Sequence, residues 1–261
     1  MTGRIALGIV GGAVLLFLVA PMFAVIPMSF DSSGLMSLVP NDPGLEQYRR
    51  FFASPDWMEA LARSFQVAAG ATVVATLGGV SAALGVARLP ARARQVAEAL
   101  LILPRVVPTI VFAVAAYRIY LEIGLVGSVA GLILAHSVLA MPFVVIFVGS
   151  ALRGLDPSLT EASLSLGGGP LVTFFRIILP QIRMAVLGAA LFAFNVSFDE
   201  VVVTLFISGI RSKTLPIKVW DAIQYEITPI LPAISVMVIL ATLLLLTPLL
   251  LFGRRAMSRL S

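Results

Sequence analysis

Six apolar stretches, near 5–27, 63–87, 97–120, 126–149, 184–207 and 229–252, dominate the sequence. Each reaches the roughly 20 residues that an α-helix needs to cross the hydrocarbon core of a bilayer. Inside that core the chain must satisfy its own backbone N–H and C=O groups, so continuous apolar runs of this length read as helices. A soluble fold does not suit the composition. The chain is 59% hydrophobic and only 12% charged, against about 25% charged in ordinary soluble domains. The first stretch has Arg4 ahead of an apolar core, as a secretory signal would. Its core is long for a signal and further spans follow, so the expectation is a retained membrane helix.

The distribution of basic residues orients these helices. With the N-terminus in the cytoplasm, Arg4, Arg88, Arg92, Arg94, Arg153, Arg176, Arg183, Arg254, Arg255 and Arg259 lie inside. Arg49, Arg50, Arg63, Arg211, Lys213 and Lys218 lie outside, mostly in the two longer outer segments where the rule is weakest. Arg105 and Arg118 fall within the third span. The expected fold is therefore an all-α integral membrane protein of six transmembrane helices, N-in and C-in, forming one domain over 1–261. The net charge of +5 reads as positive-inside topology. No basic cluster interleaved with aromatics points to nucleic acid. With no cysteine and a single histidine, His136, thiolate metal sites and catalytic constellations built on histidine find no residues. There is no GxxxxGK[ST] phosphate loop, so ATP is not bound by that route. An integral-membrane enzyme would need clustered nucleophiles, bases or ligands that this sequence lacks.

Two loops carry more than connection. The outer segment 28–62 contains Pro40, Pro43 and Pro55, and PDWMEALARS begins a short helix feeding span two, whose start Asp56 can cap. The inner segment 150–183 reads as a helix, a turn and a second helix. Asp156 is a good N-cap and Pro157 a good first helical residue. Leu159, Ala162, Ser163 and Leu166 then share one face. Gly167, Gly168, Gly169 and Pro170 end that helix. Phe174, Phe175, Ile177 and Ile178 continue toward Pro180. A small helix with an apolar face and no core of its own packs either on the ends of its own bundle or on a partner.

The inner segment carries the spacing E-A-S-x3-G-x9-I-x-L-P as Glu161, Ala162, Ser163, Gly167, Ile177, Leu179 and Pro180. This resembles the EAA motif of the permease subunits of binding-protein-dependent ABC importers, with Ser163 in place of the usual second alanine. GLVGSVAGLILAHSVLAMPFVV before the motif, and SFDEVVVTLFISG and TLPIKVWDAI after it, resemble the same family, closest to its spermidine/putrescine branch. The resemblance implies a type I importer fold in a bacterial inner membrane. It implies a coupling helix between spans four and five that sits in a cleft of a separate ATP-binding subunit. ATP would be used by that subunit, with no cofactor in this chain. It further implies pairing with a sister permease, or with itself, and docking of an extracytoplasmic solute-binding protein on 28–62 and 208–228. The alternative cargo for the same permease role is another small solute, such as an opine, an aminophosphonate or an amino-acid-like ligand; an ion-driven secondary transporter would not need the motif.

Asp199 and Glu200 stand side by side in AFNVSFDEVVVTLF. Asp199 lies 15 residues into span five from Met184, or about 22 Å along a helix, which is past the midplane. Ionisable groups at that depth mark function or a specific partner. Three readings stay open. The acids meet a cationic cargo, for which paired carboxylates suit polyamines. They pair with Arg105 or Arg118. Or one lines the pathway and the other anchors a neighbouring helix. Asn195 shares a face with Asp199, and Glu200 with Thr204. Trp220 and Asp221 in the outer segment are further pathway candidates. Trp220, Tyr117, Tyr120 and Tyr225 offer cation–π faces or an interfacial belt. His136 reads as a buried helix–helix hydrogen bond.

Overall fold

The structure, a computed structural model, describes residues 2–257. Arg259, which the charge pattern places inside, lies outside them, and so do the side chains of Arg211, Arg254 and Arg255. The elements, in order, are α1 (Thr2–Ser29), α2 (Glu46–Ala53), α3 (Pro55–Ala87), α4 (Ala91–Val106), α5 (Thr109–Glu122), α6 (Val129–Arg153), α7 (Pro157–Ser165) and α8 (Pro170–Thr173). A π turn (Phe174–Ile178) leads into α9 (Leu179–Phe198). Then come α10 (Val202–Ile207), a 3-10 turn (Ile210–Ser212), α11 (Leu215–Tyr225) and α12 (Leu231–Met257). The fold is all-helical among the described residues apart from the bridge between Asp31 and Pro43.

The chain divides into two compact units, one formed by 1–59 and 219–244, the other by 60–218 and 245–261. In the first unit α1 presents Leu7, Phe17 and Phe23 outward, as a helix solvated by lipid does. The segment after it is a built turn. Asp31 is buried; its carboxylate accepts from the Ser33 hydroxyl at 2.6 Å and from the backbone N–H groups of Ser33 and Ser37 at 3.1 Å. The Gln47 amide donates to the Asp31 carbonyl at 3.1 Å, and the Tyr48 hydroxyl to Ser29 Oγ at 2.8 Å. Phe51 packs against Phe52 and Trp57.

The second unit is built around α6. Leu132, Ala135 and Leu139 join Val67 of α3, Ala113 and Ala116 of α5, and Val203 and Ile207 of α10 in one core. One or two turns further on, Ala140, Val144 and Val148 join Ala75 and Ala83 of α3 and Ile182, Ala189 and Ala193 of α9. Small residues let the backbones approach, as membrane helices require. A Cβ at Gly79 of α3 would fall 2.6 Å from Val144 Cβ, so only glycine fits that crossing.

Among the described residues four helical stretches are long and apolar enough to cross a membrane: Leu7–Ser29, Pro55–Ala87, Val129–Arg153 and Pro170–Phe198. Two expected spans differ from straight helices. The stretch 97–120 is α4 and α5, bent by 94° at Val107 and Pro108. Pro108 holds Val107 extended, at φ −67° and ψ 132°, because its ring excludes the helical region for the residue before it. The stretch 184–207 is α9 and α10, interrupted at 199–201. The described apolar part of α12, Leu231–Leu245, is shorter than the four. Asp56 does not cap a separate short helix. Pro55 takes the first helical position, the Ser54 carbonyl accepts from Met58 N–H at 3.1 Å, and α3 runs unbroken for 33 residues.

The turn at Asp31 has a pH signature. The Ser33 hydroxyl above all, opposed by burial and aided by backbone donors, holds the Asp31 carboxyl below its ordinary range. A group whose folded value is lowered stabilises above its unfolded value, about 3.9, and loses that contribution as pH falls through the folded value. Amide-exchange protection of residues 31–37 is therefore expected to hold from neutral pH down to about pH 4 and to drop below it. In Asp31→Asn protection is lower at neutral pH, and the acid-dependent drop is gone.

Candidate functional site

The inner loop folds as its sequence dictates. The Asp156 carboxylate accepts from Ser158 N–H at 2.9 Å, capping α7, and Pro157 opens the helix. The cap holds the Asp156 carboxyl below its ordinary range, chiefly through the Ser158 backbone donor. The third helical position, where a capping-box acid would stand, is Leu159, so exposed Glu161 two residues further in does not close its own helix end. At the other end Gly168 N–H donates to Ser163 O at 2.9 Å and Gly167 N–H to Leu164 O at 3.0 Å. Gly167 has φ +81°, the left-handed conformation that only glycine adopts freely. Leu159, Leu164 and Leu166 stay exposed, and Ala162 is exposed beside Glu161. The apolar face of α7 is thus turned outward rather than spent on the bundle.

The loop is tied to the helix that follows. Ser163 Oγ and Thr173 Oγ1 are 2.9 Å apart. The chain from Pro170 is helical through Phe198, with a π turn at Phe174–Ile178. Pro180 explains the wide turn. It has no N–H, and its ring would press on the carbonyl four residues earlier in a regular α-helix. The Gln181 amide donates to Ile177 O at 2.8 Å, satisfying a carbonyl at that irregularity. Half-buried Leu179 packs on the second core, and Ile177 is half-buried within the π turn.

Near the other end of α9 the helix stops at Phe198. Asp199 N–H donates to Asn195 O at 3.1 Å, and Asp199 is exposed. Glu200 Oε1 accepts from Val203 N–H at 2.9 Å, so its carboxylate closes the start of α10. The Thr204 hydroxyl donates to the Glu200 carbonyl at 2.9 Å. His136, 1% exposed in α6, lies with Nδ1 2.9 Å from Ser197 Oγ and Nε2 3.0 Å from Thr204 Oγ1. The arginines weighed as partners of the acids are placed elsewhere. Arg118 pairs with Glu122 at 2.6 Å, and the Arg105 guanidinium lies 4.9 Å from the Phe143 ring centre. Asn195, Asp199 and Glu200 belong to the second unit; Trp220 and Asp221 belong to the first. Trp220 is exposed and Asp221 half-buried. Sequence reasoning passed over Ser197, and weighed Thr204 only as a face-mate of Glu200. The signal was a hydroxyl on each side of an acidic pair inside an apolar run. A separate cavity of about 190 Å³ lies between α3, α4 and α6, lined by Arg94, Glu98 and Arg153 among apolar residues, and includes none of these groups.

With the geometry in hand, likeness to known proteins narrows the function. The family described as binding-protein-dependent transport system inner membrane component matches residues 75–261. The chain is 30% identical over 198 residues to the spermidine/putrescine transport system permease protein PotC of Haemophilus influenzae, covering 76% of this chain and 77% of that one. It is 30% identical over 230 residues to the putrescine transport system permease protein PotI of Escherichia coli, covering 85% and 82%. In fold it is similar to a chain of a bacterial ABC transporter involved in import of the acidic polysaccharide alginate, at TM-score 0.72, 13% identity and 95% coverage of each.

The break at 199–201 makes a measurable claim about Glu200. Glu200→Gln keeps a carbonyl oxygen for Val203 N–H and is expected to melt close to the parent in detergent. Glu200→Ala loses that acceptor and is expected to lose about 1 kcal/mol, the usual worth of a helix cap.

Proposed function

The chain belongs to the family of inner membrane components of binding-protein-dependent transport systems: it is a multi-pass permease subunit, a transport protein and not an enzyme, and we propose that its cargo is a polyamine of the spermidine/putrescine class. The observation that carries the cargo reading is the similarity to permeases of that class along most of the chain. The acidic pair supplies a chemical reason for it. A polyamine offers two or more ammonium groups. Asp199 presents an exposed carboxylate beside that of Glu200, which closes the start of α10. That both sit at a helix break rather than mid-helix supports a pathway role, since irregular backbone at membrane depth occurs where it lines a cavity or is buried in protein.

The remaining parts of the reading follow. The bent pair α4–α5 crosses once and α12 crosses once, giving six crossings with both termini in the cytoplasm. The exposed face of α7, with Glu161, Ala162 and Ser163, seats in a cleft of an ATP-binding subunit. That subunit binds and hydrolyses ATP; this chain holds no cofactor. Gly167 fixes the turn that follows, and Ile177, Leu179 and Pro180 set the angle at which α9 enters the membrane. A sister permease, or a second copy, completes the pathway, and an extracytoplasmic solute-binding protein delivers cargo to the outer segments, where Trp220 and Asp221 lie.

The test is uptake of labelled spermidine and putrescine into proteoliposomes holding the assembled complex and its binding protein. Uptake is expected to require ATP and to be absent under a pH gradient alone. Gly167→Pro forces φ to about −65° where the chain has +81°, and is expected to abolish uptake while the chain still inserts. Glu161→Ala is expected to uncouple ATP hydrolysis from uptake. Asp199→Asn, removing a charged partner worth about 1.5–3 kcal/mol, should lower uptake at sub-saturating polyamine by roughly ten- to a hundredfold. Gradient-driven uptake by this chain alone would overturn the importer reading. ATP-driven uptake of a different small solute, with polyamines ignored, would overturn the cargo.

A further inference from the structure

His136 reaches both sides of the break in the fifth apolar stretch. From one buried position in α6 it meets Ser197 in the last turn of α9 and Thr204 in α10. A hydroxyl has a single hydrogen, and that of Thr204 can go to the Glu200 carbonyl or to the ring. With that hydrogen on the carbonyl, Nε2–H donates to Thr204 and Nδ1 accepts the Ser197 hydroxyl; in the other tautomer Nδ1–H donates to Ser197 and Nε2 accepts from Thr204. In either tautomer the ring holds Ser197 through Nδ1, at 2.9 Å from its Oγ and 3.2 Å from its carbonyl, and Thr204 through Nε2 at 3.0 Å. One neutral imidazole thus uses both nitrogens, one on each side of residues 198–203. The Glu200 backbone is anchored through the same Thr204 hydroxyl, and the Glu200 carboxylate through Val203 N–H.

We propose that His136 is a positioning residue for the cargo pathway: held by α6, it fixes the geometry of the α9–α10 break and so sets where the Asp199 and Glu200 carboxylates are presented. The proposal rests on the reading of that break as part of the pathway. The position of His136 gives it leverage. It sits between the two cores of the second unit, next to Ala135 in one and four residues before Ala140 in the other. Its helix ends at Arg153, and α7 begins at Pro157. A shift of α6 along α9 must stretch the Ser197 bond, and a shift along α10 the Thr204 bond, before the acids can keep their places. Leucine at 136 would fill much of the same volume with no polar atom. Glutamine could return an N–H toward Thr204.

The chain contains no cysteine, so D199C provides one thiol at an exposed site. In membranes holding the assembled complex, its rate of labelling by a small soluble maleimide is read on this chain by mass. Adding H136L is expected to change that rate several-fold. H136Q is expected to return it toward the parent. T204V is expected to reproduce H136L, and H136L with T204V together to add nothing further. Without D199C, H136L is expected to raise the polyamine concentration for half-maximal uptake more than it lowers the maximal rate, again with rescue by H136Q. If H136L does not insert, S197A and T204V carry the same comparison. Equal labelling in the parent and every variant would overturn the proposal, as would a fall in maximal rate alone that H136Q does not rescue. Altered labelling in a complex whose parent takes up no polyamine would support the positioning role and overturn the cargo reading instead.

Discussion

Hydrocarbon supplies no hydrogen-bond partner, so every departure from a regular helix within a span must be repaired by the chain itself. The architecture of the second unit follows from how three such departures are repaired. At Pro180 the helix widens into a π turn and a glutamine side chain covers a carbonyl. At Pro108 the chain turns through 94°, and α5 starts afresh with the Pro108 carbonyl accepting from Val111 and Phe112 at 2.9 and 3.2 Å. At 199–201 no proline or glycine is present, and the repair is made by Glu200, Thr204 and His136. The first two breaks are imposed by covalent chemistry. The third is held by partners, so it is the one that a relative movement of helices can alter.

The partners are available because of α6. Its buried stripe of alanine and valine, with Gly79 of α3 opposite Val144, brings neighbouring backbones close enough for short side chains to reach across. Serine and threonine bond to histidine only at such separations. The small-residue packing of the cores and the polar contact at the break are thus one arrangement: the first sets the distance that the second needs.

Much of this was legible in the sequence. Asp156, Pro157 and Gly167 each solve a local backbone problem with local chemistry, and the structure places them as N-cap, first helical residue and left-handed turn. The apolar runs gave the helical class for the same reason, since run length is a local property. The break at 199–201 was not legible. Asp-Glu in an apolar run looks like a charge set into a continuous helix, and what interrupts that helix is bonded to a residue 61 and 68 positions away. The bend at Pro108 was half legible. Proline was visible there, but tolerated kinks and sharp turns share one signature.

The exposed helix α7 connects to the break by two routes. Three residues join it to α6, and a short turn with the Ser163 to Thr173 hydroxyl contact joins it to the helical run that becomes α9. α6 and α9 pack together in the second core, so the two routes run side by side through it. They end on the same group, since His136 belongs to one and Ser197 to the other. A displacement that moved both helices together would leave that bond, and the acids beside it, unchanged. One that moved them unequally would load it directly. Under the coupling role proposed for α7, only the second kind of motion turns an event there into a change at Asp199 and Glu200, so the difference between the movements of α6 and α9, rather than the size of either, is the quantity on which that coupling would depend.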